Sequence, residues 1–254
     1  VNNFLGFYSV LRREVHRFWS IKRQTIFGPL LETYLYISIF GAALGSRIQT
    51  LDGYSYVVFI IPGLLLMAMT INAFANNSSS LAQQKMQRAI DDQLASPVSH
   101  SALLAAFTLG GFIRAAIITG ITYATAAILI DLPLVHPFLF VISLTLCGLF
   151  FASLGVLIGL RAETFDNISF YQTFIIQPLI FLGGVFYSVS LLSEPFRTLT
   201  QFDPLFYMIN TVRYSMLGSA DVNPYLSLLI IFAVTLVVIG VNLHLFKKGY
   251  RLRS

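Results

Sequence analysis

Two charged residues stand inside long apolar runs, Glu32 and Arg114. A charge at the centre of a bilayer costs about 2.5–3.5 kcal/mol on insertion scales, so such residues pair or do work. Arg114 lies close enough to one end of its run for its long side chain to reach the polar edge. Glu32 lies near the same edge of its own run. The two could form a clamp between helices, or they could couple transport to protons or ions. Little other chemistry is on offer. The chain has no G-x-x-x-x-G-K-[ST] stretch to cradle phosphates, no H-E-x-x-H and no G-x-S-x-G. His16, His100, His136 and His244 are far apart in the sequence, and the one cysteine, Cys147, sits in an apolar run. No catalytic residue, metal site, disulfide or bound cofactor is expected of this chain.

The elements that must carry these residues follow from composition. The 254 residues are 56% hydrophobic and 11% charged, where a soluble domain has about 45–50% and about 25%. That excludes an ordinary soluble enzyme, a disordered chain and a disulfide scaffold. Six apolar runs, 26–44, 57–74, 103–130, 137–160, 168–187 and 225–246, are long enough, or nearly so, to cross about 30 Å of hydrocarbon as helices. They are continuously apolar rather than alternating, which favours helices over a barrel. The expected fold is all-α, a polytopic membrane protein with six transmembrane helices in a single domain over 1–254.

Lys and Arg set the orientation. With the N-terminus inside, twelve of the sixteen fall in inner segments (Arg12, Arg13, Arg17, Lys22, Arg23, Lys85, Arg88, Arg161, Lys247, Lys248, Arg251, Arg253). Three (Arg47, Arg197, Arg213) fall outside. This bias predicts both termini in the cytoplasm. It also accounts for the net charge of +5 without nucleic acid as a partner. The first 25 residues hold five Lys/Arg and no apolar core of the length a cleavable signal needs.

Three segments are not simple spans. Phe4, Tyr8, Leu11, Val15, Phe18 and Trp19 recur at helical spacing opposite Arg12, Arg13, His16 and Arg17. The pattern predicts an amphipathic helix within 1–25, lying among lipid headgroups or else merely solvated. Between spans 2 and 3, Ser80 and Gln83 resemble a capping box, Met86, Ile90 and Leu94 recur every four residues, and Pro97 stops the pattern. A short cytoplasmic helix over 82–95 is expected there, either a plain loop helix or a docking element. Outside, 188–224 carries apolar patches broken by Pro195 and Pro204. It reads as half-helices folded over the outer leaflet like a lid. Within the spans, Pro62-Gly63, Gln177-Pro178 and Gly183-Gly184 predict kinks or close helix packing in spans 2 and 5.

These features together resemble the ABC-2-type permease subunits of ATP-binding-cassette exporters, over essentially the whole chain. The resemblance is carried by the basic N-terminal helix, by FIIPGLLLMAM (59–69) and by KMQRAIDDQLASPVS (85–99), where the family has its coupling helix. It is carried also by QPLIFLGGVFYSVSLLSEPFRTLTQFDPLFYMINTVRY (177–214), which looks like the family's C-terminal signature, with Asp203-Pro204 at its turn. Gln93 departs from the pattern, standing where the family usually has an apolar residue.

The resemblance implies a half-transporter of a bacterial inner membrane. Two copies would pair as a homodimer, chiefly through spans 2 and 5, and two cytoplasmic ABC ATPase subunits would supply ATP and Mg. Gln84, Arg88, Asp91, Asp92 and Leu94 would form the ATPase-coupling surface within 78–99. Phe59, Met67, Thr70, Phe174, Gln177 and Phe181 would line the pathway, a surface suited to hydrophobic or amphipathic cargo. Leu191, Phe196, Asp203 and Pro204 would belong to a re-entrant outer gate over 188–224. An ion-coupled carrier or channel using Glu32 and Arg114 is the alternative.

Overall fold

The structure, a computed structural model, describes residues 3–43, 50–51, 53–95 and 98–249, and the side chains of these except 24, 41–43, 92, 94 and 95. Eleven α-helices follow one another among the described residues: α1 (Asn3–Ser20), α2 (Lys22–Ala43), α3 (Tyr56–Met86), α4 (Ala89–Ala95), α5 (His100–Leu129), α6 (Pro137–Arg161), α7 (Phe165–Tyr171), α8 (Gln177–Leu182), α9 (Glu194–Thr200), α10 (Pro204–Leu217) and α11 (Pro224–Lys248). Among the described residues, four helices are long and apolar enough to cross a membrane: α3, α5, α6 and α11. They contain the expected runs 57–74, 103–130, 137–160 and 225–246 almost whole; only Ile130 falls outside, just past the end of α5. α2 carries a shorter apolar stretch, Thr25–Phe40.

α3 forms the axis of the bundle. Phe59, Ile60, Leu65, Ala73 and Phe74 are fully buried, and α5, α6 and α10 pack around them. α6 approaches closely because Gly148, Ala152, Gly155 and Gly159 fall on one helical face. A side chain at Gly155 would run into the backbone of Phe74, and one at Gly159 into Ser78 and Leu81. Helix ends are set locally. Pro137 and Pro224 open α6 and α11 where a missing N–H costs nothing, and Asn223 Oδ1 accepts the amides of Tyr225 and Leu226.

The expected helix over 82–95 is different in the structure. α3 runs unbroken to Met86, so Ser80 and Gln83 lie inside it rather than at a helix start. Only Ala89–Ala95 forms the separate helix. The break falls at Arg88, whose φ of 57° is left-handed and ends the α-helical path. Pro97 lies outside the described residues.

The fifth run folds as α7, a π-helical turn (Gln172–Ile176) and α8. The wide turn sits just before Pro178, which has no N–H to give and whose ring crowds the preceding turn. Gly183 and Gly184 end α8, and Gly184 has φ 89°. In the outer segment Pro195 and Pro204 start α9 and α10 rather than interrupting helices.

Candidate functional site

One end of the bundle is organised around Glu14. This is the only acid among the first 25 residues, and its side chain is fully buried. α1 lies across α5, where the bare surface of Gly110 leaves room for the Glu14 stem. Ser80 Oγ donates to Glu14 Oε2 at 2.7 Å and Gln84 Nε2 donates to Oε1 at 3.0 Å. Arg13 and Arg17 approach the same carboxylate at 3.2 and 3.4 Å. Burial lowers the Arg17 pKa from its ordinary value, and Glu14 opposes that shift. Two cations and two neutral donors therefore surround one buried anion.

The network continues in both directions. Toward the bundle, Arg17 Nη2 donates to the carbonyl and Oδ1 of Asn76 at 2.8 and 2.9 Å. Asn76 passes a bond to Asn77, and Asn77 Nδ2 reaches the carbonyl of Ala152 on α6 at 2.9 Å. Toward the short helix, Gln93 of α4 donates to Gln84 Oε1 at 2.7 Å, and Arg13 donates to both glutamines. Lys85 caps the end of α6, donating to Leu160 and Ala162 carbonyls at 2.6 and 3.0 Å. α1, α3, α4 and α6 are thus joined by polar bonds at one end. Of the expected apolar stripe Phe18 is buried, but Phe4, Tyr8 and Trp19 stay exposed, because Val10 and Glu14 complete the buried face of α1.

Of the expected coupling residues, Gln84 belongs to this network, Arg88 is exposed at the turn, and Asp91 is half-buried on α4. The side chains of Asp92 and Leu94 lie outside the described residues. Glu32 and Arg114 are not brought together: among the described residues no ion pair joins them. Arg114 Nη1 instead donates to Asn76 Oδ1 at 3.4 Å. Glu32 is exposed beside Thr33, Tyr36, Met67 and Asn72. The reason is that α1 brings Arg17 and Glu14 to the level of Arg114, a contact between distant segments that neither apolar run signals.

The six expected pathway residues do not share one surface. Phe59 and Thr70 are fully buried within the chain and Met67 nearly so. Phe174, Gln177 and Phe181 are exposed on α8 and the π-helical turn before it, next to exposed Phe170. Phe59 is covered because the guanidinium of Arg213 lies over its ring, 4.1 Å from the centroid.

Arg213 fastens the segment that follows α8. Counted from the sequence among the cations of the outer segments, it is only 2% exposed. Its Nη2 donates to the Gly184 carbonyl at 2.6 Å and Nη1 lies 3.7 Å from Asp221. Asp221 accepts from Ser188 Oγ at 2.9 Å, and Asn210 holds the amides of Asp221 and Val222. Tyr56 Oη donates to the Phe186 carbonyl, and Gly63 lets Val185 sit directly on α3. Of the expected gate residues, Leu191 and Phe196 are exposed, Pro204 opens α10, and Asp203 is buried. Asp203 Oδ1 accepts the amide of Leu205 at 2.9 Å. Burial pushes its carboxyl up to about 7, and the bond from Leu205 only partly offsets this.

Residues 6–217 match the family model for ABC-2 type transporters. The chain belongs to the ABC-2 type transporter family. It is similar to the inner membrane transport permease YadH of Escherichia coli K12, with 40% identity over 97% of this chain and 96% of that protein. It is similar also to nodulation protein J of Rhizobium leguminosarum bv. viciae, with 29% identity over 91% and 90% of the two chains. Nodulation protein J of Rhizobium meliloti gives 29% identity over 87% and 85%. As an ABC-2 chain, it is the membrane subunit of a transporter.

Proposed function

We propose that this ABC-2 chain is the permease half of an ATP-driven exporter in a bacterial inner membrane, moving hydrophobic or amphipathic cargo outward. YadH is named an inner membrane transport permease, which supports that placement. Six crossings would be made by α2, α3, α5, α6, the α7–α8 segment and α11, with both termini in the cytoplasm. Two copies would pair, and the exposed apolar face of Phe170, Phe174 and Phe181 supports a role for α7–α8 in that contact. A separate ABC ATPase, two copies per complex with ATP and Mg bound to it, would dock on α4.

The observation that carries this reading is the bonded line from α4 to α3 and α1. Gln93 holds Gln84 at 2.7 Å, and Gln84 holds Glu14 at 3.0 Å. A push on α4 by a closing ATPase pair is therefore delivered to the central helix and the interfacial helix together. Two arrangements of the bundle would then alternate, opening inward and outward, with the segment clamped by Arg213 as outer gate. Nothing in the geometry favours the ion-coupled alternative, since Arg114 is engaged by Asn76 and not by Glu32.

The test is co-purification with an ABC ATPase from the same organism. Arg88→Glu combined with Asp92→Arg should weaken that association and abolish cargo-stimulated ATP hydrolysis. Unchanged association, or uphill transport by the chain alone on an ion gradient, overturns the reading.

A further inference from the structure

We infer that a groove between the cytoplasmic ends of α5 and α11 holds one anionic phospholipid of the inner leaflet; this rests on the orientation proposed above. The groove has a volume of about 260 Å³. Its walls are Leu104, Ala105 and Leu109 of α5, Leu149 of α6, and Ile239 and Leu243 of α11. All six are apolar and lie on helices that cross the membrane, so an acyl chain is the partner of matching chemistry at that depth.

Two features select a phosphate-bearing lipid. Ile239, Leu243 and Lys247 follow one another at four-residue spacing, so Lys247 stands on the groove's own stripe one turn, about 5.4 Å, beyond Leu243. Lys247 is exposed and, among the described residues, makes no ion pair. Opposite it lies the first turn of α5, with Ser101 on the groove wall and its N-terminal amides facing the same end. A helix N-terminus favours a phosphate. Phe246, buried in one cluster with Leu103, Leu104 and Phe107, holds the two helix ends together. Deeper in the groove, Thr108 is 6% exposed and its hydroxyl is buried with no hydrogen-bond partner. A cation and a helix terminus at the headgroup level, with apolar walls below, match a glycerophospholipid with net negative charge.

The test is native mass spectrometry of the full chain in neutral detergent, with phosphatidylglycerol and phosphatidylcholine as probes. The chain should retain one phosphatidylglycerol, preferred roughly fivefold over phosphatidylcholine, the factor expected of one lysine near an anionic headgroup. Lys247→Gln should bring the two lipids to equal retention, while Arg12→Gln on α1 should leave the preference intact. Ala105→Trp should fill the groove and remove both lipids. Lys247 is exposed, so its arm decides the matter if Ala105→Trp does not fold. An unchanged preference in Lys247→Gln, or its loss in Arg12→Gln, overturns the site. The readout needs neither ATPase nor transport, so it succeeds or fails separately from the proposed function.

Discussion

Gln93 of α4 donates through Nε2 to Oε1 of Gln84 on α3, 2.7 Å away. Gln93 thus makes the polar link between the short helix and the long one. An apolar residue there would tie α4 by packing alone. Here the tie is directional, and Arg13 reinforces it from α1.

Glu14 is the keystone of the same end. Glu14→Ala would leave Arg17 in its partly buried site without its anion, and Ser80 and Gln84 without their acceptor. Breaking a buried pair by removing one partner costs about 3–5 kcal/mol. The thermal midpoint of the full chain in detergent should fall accordingly. Glu14→Gln, which keeps hydrogen-bonding capacity but not charge, should fall about half as far.

Arg88 sits at the turn with φ 57°. A non-glycine residue in this region costs about 1–2 kcal/mol, and glycine adds back part of that through a freer unfolded chain. Arg88→Gly should therefore leave stability unchanged or raise it by about 1 kcal/mol. Arg88→Val, β-branched, should lower it. Thermal unfolding of the three proteins side by side checks the order.

Gly63 meets Val185 so closely that a methyl group there would stand 2.8 Å from the Val185 backbone. Backbone cannot yield as a side-chain tip can, so Gly63→Ala should cost about 1–3 kcal/mol. The strain falls on the 183–188 loop, and the loop carries the Gly184 carbonyl held by Arg213. Cysteines introduced at exposed Leu191 should react faster with a membrane-impermeant thiol reagent in the alanine variant.

Asp203 gives the 188–224 segment a pH dependence. Unfolded, its carboxyl ionises near 3.9; folded, it keeps its proton to about 7. A raised acid pKa means the protonated form is the better folded one. Its contribution is complete below about pH 4 and is lost as pH rises through about 7. Asp203→Asn keeps the oxygen that accepts the Leu205 amide and does not ionise. The difference in thermal midpoint between the two proteins should grow in the variant's favour from pH 4 to 8.

Helix existence was legible from the apolar runs. α6 starts at Pro137 in both readings, and α5 and α11 match within a few residues. The end of α3 was not legible. The polar run Asn76-Asn77-Ser78-Ser79-Ser80 reads as loop, yet it is helical and largely buried. It can be so because Glu14, Arg17 and Ala152 satisfy it, and they come from segments tens of residues away. Arg213 was missed for the same reason. Its neighbours in sequence place it outside, and only Phe59 and Gly184 make a buried site for it. What remained hidden was in each case a polar group whose partner lies on another helix. The isolated acid at position 14 among five cations was the one available signal.

The carbonyls at the close of α6 share a single ammonium group, that of Lys85. Lysine carries its charge on four rotatable carbons and has no fixed fork of donors. Such a joint swivels. The ammonium can pass from one of these oxygens to the next by rotation of its own side chain, and the two helix ends stay tethered. An arginine in that place would impose one planar fork of bonds; the lysine imposes none.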